Sequence, residues 1–382
     1  MSEAFSPGLE DVVVARTSVS FLDLERERIT VRGYDLIELA RTVSFPDVAH
    51  LLIRGHLPNL TEQTSFCGAL QTNAGLPEGV VDILRRLPRE TSAMDALRTG
   101  LSLLAGYEDP HVLADPAAND AKAIRLLARA PALTANGWRA IHGQPTLEPN
   151  PGLGFAGSFL WMIQGRAPDP DAVRTFDRVM TCYSEHEMAA STFAARVVAS
   201  TLADLYSAVV AACAALKGSL HGGANEAAAR MFAEIRMRGG AAAAEAYVME
   251  RLWRGDRIMG FGHRVYMRRP DPRAVLMKEE LDALAERDPD ARQHVDAYEV
   301  VAATMEREKG LYPNADLPIG LVLLLIGVPV ELFTPVFLCA RIAGVAAHVI
   351  EQQADNRLYR PRVHYVGPDD LAPPEGFQPS RC

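Results

Sequence analysis

Tyr34-Asp35-Leu36-Ile37-Glu38-Leu39-Ala40-Arg41-Thr42-Val43-Ser44-Phe45-Pro46-Asp47-Val48-Ala49-His50-Leu51-Leu52-Ile53 is the stretch on which the fold class turns. Leu36, Leu39, Ala40 and Val43, then Val48, Leu51, Leu52 and Ile53, recur at spacings of three and four. That is the period of a helix with one apolar stripe. Gly55 and Pro58 are expected to stop this helix, and Thr61-Glu62-Gln63 to start another. Upstream, only Val12-Val13-Val14 and Ile29-Thr30-Val31-Arg32-Gly33 have the β-branched density of strands. They predict a small N-terminal ribbon. Downstream the helical theme repeats, punctuated by Pro77, Pro88, Pro110 and Pro116 and running through the Ala-rich segment 120–140. A loop at Arg166–Asp171 and a strong helix former over 241–253, ended by Gly255, follow. Residues 284–309 read as a solvated helix-and-turn region. With so little strand, the chain is expected to be all-α.

Ala189–Leu216 is the stretch nearest to a membrane span, but Arg196 and Asp204 interrupt it and Lys217-Gly218 close it. It reads as one buried helix, and no membrane span is expected. Of 382 residues, 48% are hydrophobic and 23% charged, enough apolar material for a large core. The net charge of −9 argues against nucleic acid or an anionic membrane as partner, so any anionic substrate needs a local basic cluster. Five dispersed cysteines with no CxxC pair suggest reduced thiols and a cytoplasmic protein. The first residues lack the basic and apolar regions of a signal peptide.

Six segments carry chemistry. Gly260-Phe261-Gly262-His263-Arg264-Val265-Tyr266 places a histidine at a glycine-flanked turn, and Arg268, Arg269 and Arg273 follow it. This is a loop suited to an anion beside a titratable group. His186, within Tyr183-Ser184-Glu185-His186-Glu187, sits before a helix N-terminus, where it serves an anion or merely caps. A zinc HExxH would need a second histidine at 190, which is Ala190, so no metal is expected. His221, in Leu220-His221-Gly222-Gly223-Ala224-Asn225-Glu226, lies between helices, with two glycines that permit close approach of a ligand.

Asp316 closes Leu311-Tyr312-Pro313-Asn314-Ala315-Asp316 and directly precedes the apolar run 317–328. A carboxylate against an apolar wall becomes more basic and suits a general base, although an N-cap reads equally well. Arg341 lies in a helix so apolar that burial calls for an anion, while His348, seven residues on along the same face, reads as a core histidine with a hydrogen-bond partner. Arg360 belongs to the basic tail Asn356–Arg362. Together these residues could grip a dicarboxylate beside an acid–base pair, chemistry that fits carbon–carbon bond formation at a carbonyl.

The motifs LHGGANE (220–226), GFGHRVY (260–266), DPRA (271–274) and LYPNAD (311–316), with Asn356–Arg362, resemble citrate synthases of the shorter bacterial and archaeal kind, which also contains 2-methylcitrate synthases. The resemblance covers nearly the whole chain. It implies an all-α homodimer, with a large domain (1–222 plus 327–382) for dimerisation and oxaloacetate. A smaller inserted domain (223–326) would serve CoA and carry the catalytic Asp. It also implies a place in the tricarboxylic acid cycle and no cofactor beyond acetyl-CoA as substrate.

By that resemblance Asp316 takes a proton from acetyl-CoA, His221 donates to the thioester oxygen, and His263 polarises and protonates the oxaloacetate carbonyl. His186, Arg273 and Arg341 hold oxaloacetate, and Arg360 reaches the other subunit's site. Arg264, Arg268, Arg269 and Asn314 are the CoA contacts. Several neighbours depart from the family pattern. The loop between His263 and Arg273 is one residue longer than usual, Leu317-Pro318-Ile319 replace an aromatic and a serine, and Ala189-Ala190 stand where an asparagine is usual. The charged positions remain, so these changes bear on the choice of acyl-CoA and keto acid. A propionyl-CoA-using 2-methylcitrate synthase is the near alternative, and a non-catalytic dicarboxylate- or CoA-binding dimer is the distant one.

Overall fold

The structure is a computed structural model, and it describes residues 5–10, 12–23, 25–262, 269–374, 376 and 377. Among these residues the strands are β1 (Ser20–Asp23), β2 (Arg28–Val31) and β3 (Tyr34–Asp35). The helices of the first half are α1 (Leu36–Thr42), α2 (Phe45–Arg54), α3 (Leu60–Asn73), α4 (Glu78–Arg85), α5 (Ala93–Ala105), α6 (Pro110–Ala114), α7 (Asn119–Ile141), α8 (Gly154–Gln164) and α9 (Pro170–Ser184). Those of the second half are α10 (Ala190–Ser200), α11 (Leu205–Leu216), α12 (Ala224–Met237), α13 (Ala241–Trp253), α14 (Pro272–Ala285), α15 (Pro289–Lys309), α16 (Asp316–Leu325) and α17 (Phe333–Ala354). The all-α expectation holds, with one small antiparallel sheet in the order β1-β2-β3.

Three local expectations are corrected. Val12–Val14 form no strand: β1 lies further on, its Ser20 paired with Val31 and its Asp23 with Arg28. Val13 is 89% exposed, so β-branching found no partner there. The stretch 36–53 is two helices, because Ser44 and Asp47 make a capping box and Pro46 occupies the first turn of α2. Gly55 does end α2, in the left-handed region at φ 87°. The run 189–216 is likewise two helices. The Asp204 carboxylate accepts the Ser207 N–H at 3.0 Å and starts α11 afresh.

Helix α17 is the axis of the larger body. It packs against α2, α5, α7, α9, α10 and α11, and nearly every residue from Phe333 to Val349 is buried. Among the described residues, Val330–Ala354 is the one helical stretch long and apolar enough to cross a membrane, and 94% of its window is buried in the fold. It is a core helix. Helices α12–α16 pack mainly on one another and meet the rest where α12 touches α17, where α14 touches α1, and where α14 and α16 touch α9. The chemistry collects along that seam.

Candidate active site

The seam encloses a cavity of about 600 Å³, lined among others by His186, His221, Arg273, Asn314, Asp316 and Arg341. Six residues spread over the sequence from 186 to 341 thus converge. Gly262, which directly precedes His263, lines it as well. His263, Arg264 and Arg268 lie outside the described residues.

Arg341 forms the floor. Its Nε donates to the Tyr183 carbonyl at 2.7 Å, and its guanidinium lies 4.8 Å from the centre of the Phe337 ring. Its Nη groups bond to nothing among the described residues. Burial pulls its pKa down to about 10, with Glu185 opposing the fall. An enclosed guanidinium with open donors is built to receive an anion.

Arg273 enters from α14. Asp271 caps that helix and grips the Arg273 side chain by two hydrogen bonds, Nε to Oδ1 at 3.1 Å and Nη2 to Oδ2 at 2.7 Å. The DPR sequence therefore holds its own arginine in place. His186 lies on the linker between α9 and α10, pinned at its neighbours. The Glu185 carboxylate accepts from Ser20 Oγ at 2.8 Å, and that of Glu187 accepts the Leu22 N–H at 3.1 Å. Glu187 itself takes a positive φ of 53°. The small sheet thus anchors this linker.

His221 is positioned by glycine and by a helix end. A Cβ on Gly222 would stand 2.5 Å from the Leu216 carbonyl, so the loop can turn there only with glycine. The His221 Nε2 accepts the backbone N–H of Ser191 at 3.2 Å, in the first turn of α10, with Ser191 Oγ at 2.8 Å. An amide N–H only donates, so Nε2 carries the lone pair and Nδ1 carries the proton. Burial, reinforced by Arg341, lowers the His221 pKa to about 4. His221 is a neutral imidazole with an N–H to offer.

Asp316 opens α16 at its first turn, beyond the Ala315 cap, rather than serving as the cap itself. Its backbone N–H is held by Asn314 Oδ1 at 3.1 Å. The Asn314 Nδ2 donates to the Gly262 carbonyl at 3.1 Å, and its backbone N–H donates to Gly260 at 2.9 Å. Asn314 therefore ties the Gly260–Gly262 loop to Asp316. Gly260, at φ 86°, must be glycine here, since a Cβ would lie 2.6 Å from Leu317. Burial raises the Asp316 pKa to about 6, against the pull of Arg273. The Tyr183 hydroxyl donates to its Oδ1 at 3.1 Å, a partner that the sequence reading did not assign.

Two expected positions stand apart. Arg269 pairs with Glu27 at 2.9 Å on an exposed surface. Arg360 lines a different cavity, of about 930 Å³, beside Arg16, Glu351 and Tyr359, and its Nη1 donates to the Pro361 carbonyl. Among the described residues the one set of side chains with metal-ligand spacing is His50, His56 and Glu62, away from this cavity.

The family model "Citrate synthase, C-terminal domain" matches residues 8–362. A citrate/2-methylcitrate synthase of Bacillus subtilis is 45% identical over 95% of this chain and 97% of its own length. A 2-methylcitrate synthase of Mycobacterium tuberculosis is 41% identical over 97% of this chain and 92% of its own. Among solved structures, citrate synthase from Thermoplasma acidophilum, in a ternary complex with carboxymethyl coenzyme A and oxaloacetate, superposes with a TM-score of 0.90 at 32% identity. That match covers 97% of this chain and 98% of the other.

Proposed function

The chain belongs to the citrate synthase family, and from that premise we propose how its cavity condenses acetyl-CoA with oxaloacetate to give citrate and CoA. It is an acyltransferase of that class. The observation that carries the reading is the meeting, in one cavity, of a carboxylate made basic by burial, a neutral imidazole and two buried guanidiniums. Asp316 removes a proton from the acyl α-carbon. As the enolate forms, the His221 Nδ1–H donates to the thioester oxygen, a role that needs neutral imidazole. The α-carbon attacks the keto carbon, and the new alkoxide takes a proton, supplied by His263 on the family pattern. Water then cleaves the thioester and CoA leaves as the thiol.

Arg273, Arg341 and His186 hold the carboxylates of oxaloacetate. The segment 223–326 acts as a smaller domain that closes over the bound keto acid, which excludes water until the carbon–carbon bond is made. Arg360 completes the site of a second copy in a homodimer. Mixing Asp316→Ala and Arg360→Ala subunits, each inactive alone, then regenerates thiol release. No regain would leave Arg360 without a role across the interface. A cytoplasmic setting and a place in the tricarboxylic acid cycle go with this reading.

The decisive experiment measures thiol release with oxaloacetate and either acetyl-CoA or propionyl-CoA. Oxaloacetate-dependent release is expected. The Bacillus subtilis relative's name covers both products, and one methylene changes binding by roughly 1–3 kcal/mol, so both thioesters should turn over to some extent. A higher kcat/KM for propionyl-CoA would make the chain a 2-methylcitrate synthase. Background release with every pair would leave only a binding protein.

A further inference from the structure

The Tyr183 hydroxyl stands between two side chains that are far from it in sequence. It accepts from Asn225 Nδ2 at 3.1 Å and donates to Asp316 Oδ1 at 3.1 Å. Asn225 is fully buried and Tyr183 is 1% exposed. The Asn225 Oδ1 accepts the Glu226 N–H at 2.7 Å, which fixes which end of the amide faces the phenol. Because that end only donates, the phenolic proton is left for the carboxylate. The relay has one direction, Asn225 to Tyr183 to Asp316. It occupies Oδ1 and leaves Oδ2 of Asp316 without a hydrogen bond among the described residues.

Resting on the reading of Asp316 as the base, we propose that Tyr183 is a positioning residue whose hydroxyl sets the orientation of that carboxylate and its affinity for the proton. Tyr183 belongs to α9, whereas Asn225 and Asp316 belong to α12 and α16. These two helices touch at Gly320, where a Cβ would lie 2.7 Å from the Asn225 carbonyl. The Tyr183 ring is itself fixed, stacked on Phe337 at 4.1 Å and 19°. A rigid phenol on one body thus registers the carboxylate carried by the other.

The ionisable groups around Asp316 act from several elements. Arg273 from α14 and Asp271 from the cap of that helix face it with opposite signs, Arg341 from α17, and Tyr183 from α9, while His221 and His186 share the cavity. Tyr183 supplies the one hydrogen bond to the carboxylate itself among the described residues. A donor to the charged form favours it, so the hydroxyl holds the base ionised against burial.

Tyr183→Phe deletes the hydroxyl and keeps the stacked ring. The acid limb of kcat/KM for the acyl-CoA should move up by about one pH unit, the worth of one hydrogen bond to a charged group. The plateau kcat should fall about tenfold while the KM for oxaloacetate stays within about twofold. An acid limb at the parent's position overturns the proposal, whatever happens to kcat. Asn225→Ala keeps the Tyr183 contact but removes the donor behind it, and should move the limb the same way by less. If Tyr183→Phe fails to fold, an unmoved limb in Asn225→Ala overturns the proposal.

Infrared difference spectra against Asp316→Asn follow the carboxyl titration without turnover. Identical titration in parent and Tyr183→Phe also overturns it. A shifted titration in a parent that releases no thiol would sustain the positioning role and sink the reaction instead.

Discussion

Arg341 and His348 lie seven residues apart on one helix, and the protein treats them in opposite ways. Around His348 each charged side chain has a partner inside the chain, although Glu185 Oε2 has no hydrogen bond among the described residues. The Arg196 guanidinium donates to Nδ1 at 3.0 Å and Nε2 faces Glu185 at 3.1 Å, while Arg196 also holds Gln352 and Glu351. A guanidinium cannot accept, so the His348 proton sits on Nε2 and is given to Glu185. Around Arg341 the chain provides one carbonyl and leaves the Nη groups open to the cavity. Charges closed upon themselves serve the fold, and charges left open at the same depth are available to an anion.

The sharpest way to break this contrast is at Asp316. Asp316→Asn keeps the shape of the side chain and removes its basicity. Thiol release should fall by about 10²–10⁴-fold with the fold intact. Its stability should move the other way. The folded pKa of Asp316, about 6, lies above its usual 3.8. Ionisation therefore costs stability, and the cost grows between those two pH values and is complete above them. Asp316→Asn should melt above the parent at pH 8, with the gap closing near pH 4. Equal melting curves at both pH values would mean that the carboxylate is well solvated.

Arg341→Leu should raise the KM for oxaloacetate by about 10²-fold, since one partner of an enclosed charge pair is lost. The melting temperature should hold or rise, because a buried guanidinium without a full set of acceptors is expensive. His348→Leu inverts the pattern. It leaves Glu185 buried and underbonded, at a cost of about 3–5 kcal/mol in stability, with kcat per folded molecule changed little. In the parent, burial opposes ionisation of Glu185, but His348, Arg341 and Ser20 outweigh it and hold its carboxyl below the usual 4.5. That stabilisation is present above pH 4.5 and is lost as the pH falls through the lower folded value. Parent and variant should thus converge in acid. If Arg341→Leu unfolded the protein and His348→Leu did not, the assignment of the two ends would be reversed.

Much of this was legible in the chain. The raised pKa of Asp316 was legible, because the apolar run after it already predicts it; Gly222-Gly223 marked a close approach beside His221, and at Gly222 what approaches is the Leu216 carbonyl. The buried state of Arg341 follows from the apolar helix around it. The Tyr183 relay was not legible, since its partners lie 42 and 133 residues away and only tertiary packing joins them. The two helix breaks carried local signals, Ser44 with Asp47 and Asp204 before Ser207, which apolar spacing outweighed in the reading. Val12–Val14 shows the limit of β-propensity, because a strand needs a partner and Ser20–Asp23 took it.

The smallest effect tests the loop arginines. The family resemblance makes Arg269 a CoA contact, yet its guanidinium is 72% exposed and pairs with Glu27. Surface pairs of this kind contribute about 0–1 kcal/mol and are screened by salt. Arg269→Ala should shift the melting temperature by no more than about a degree or two and raise the KM for the acyl-CoA by less than about threefold. Glu27→Gln separates the two roles. If Arg269 binds a CoA phosphate, Glu27 competes with that phosphate, and the Gln variant lowers the KM, most clearly at low salt. If the pair is only structural, both variants leave the KM alone and move stability together.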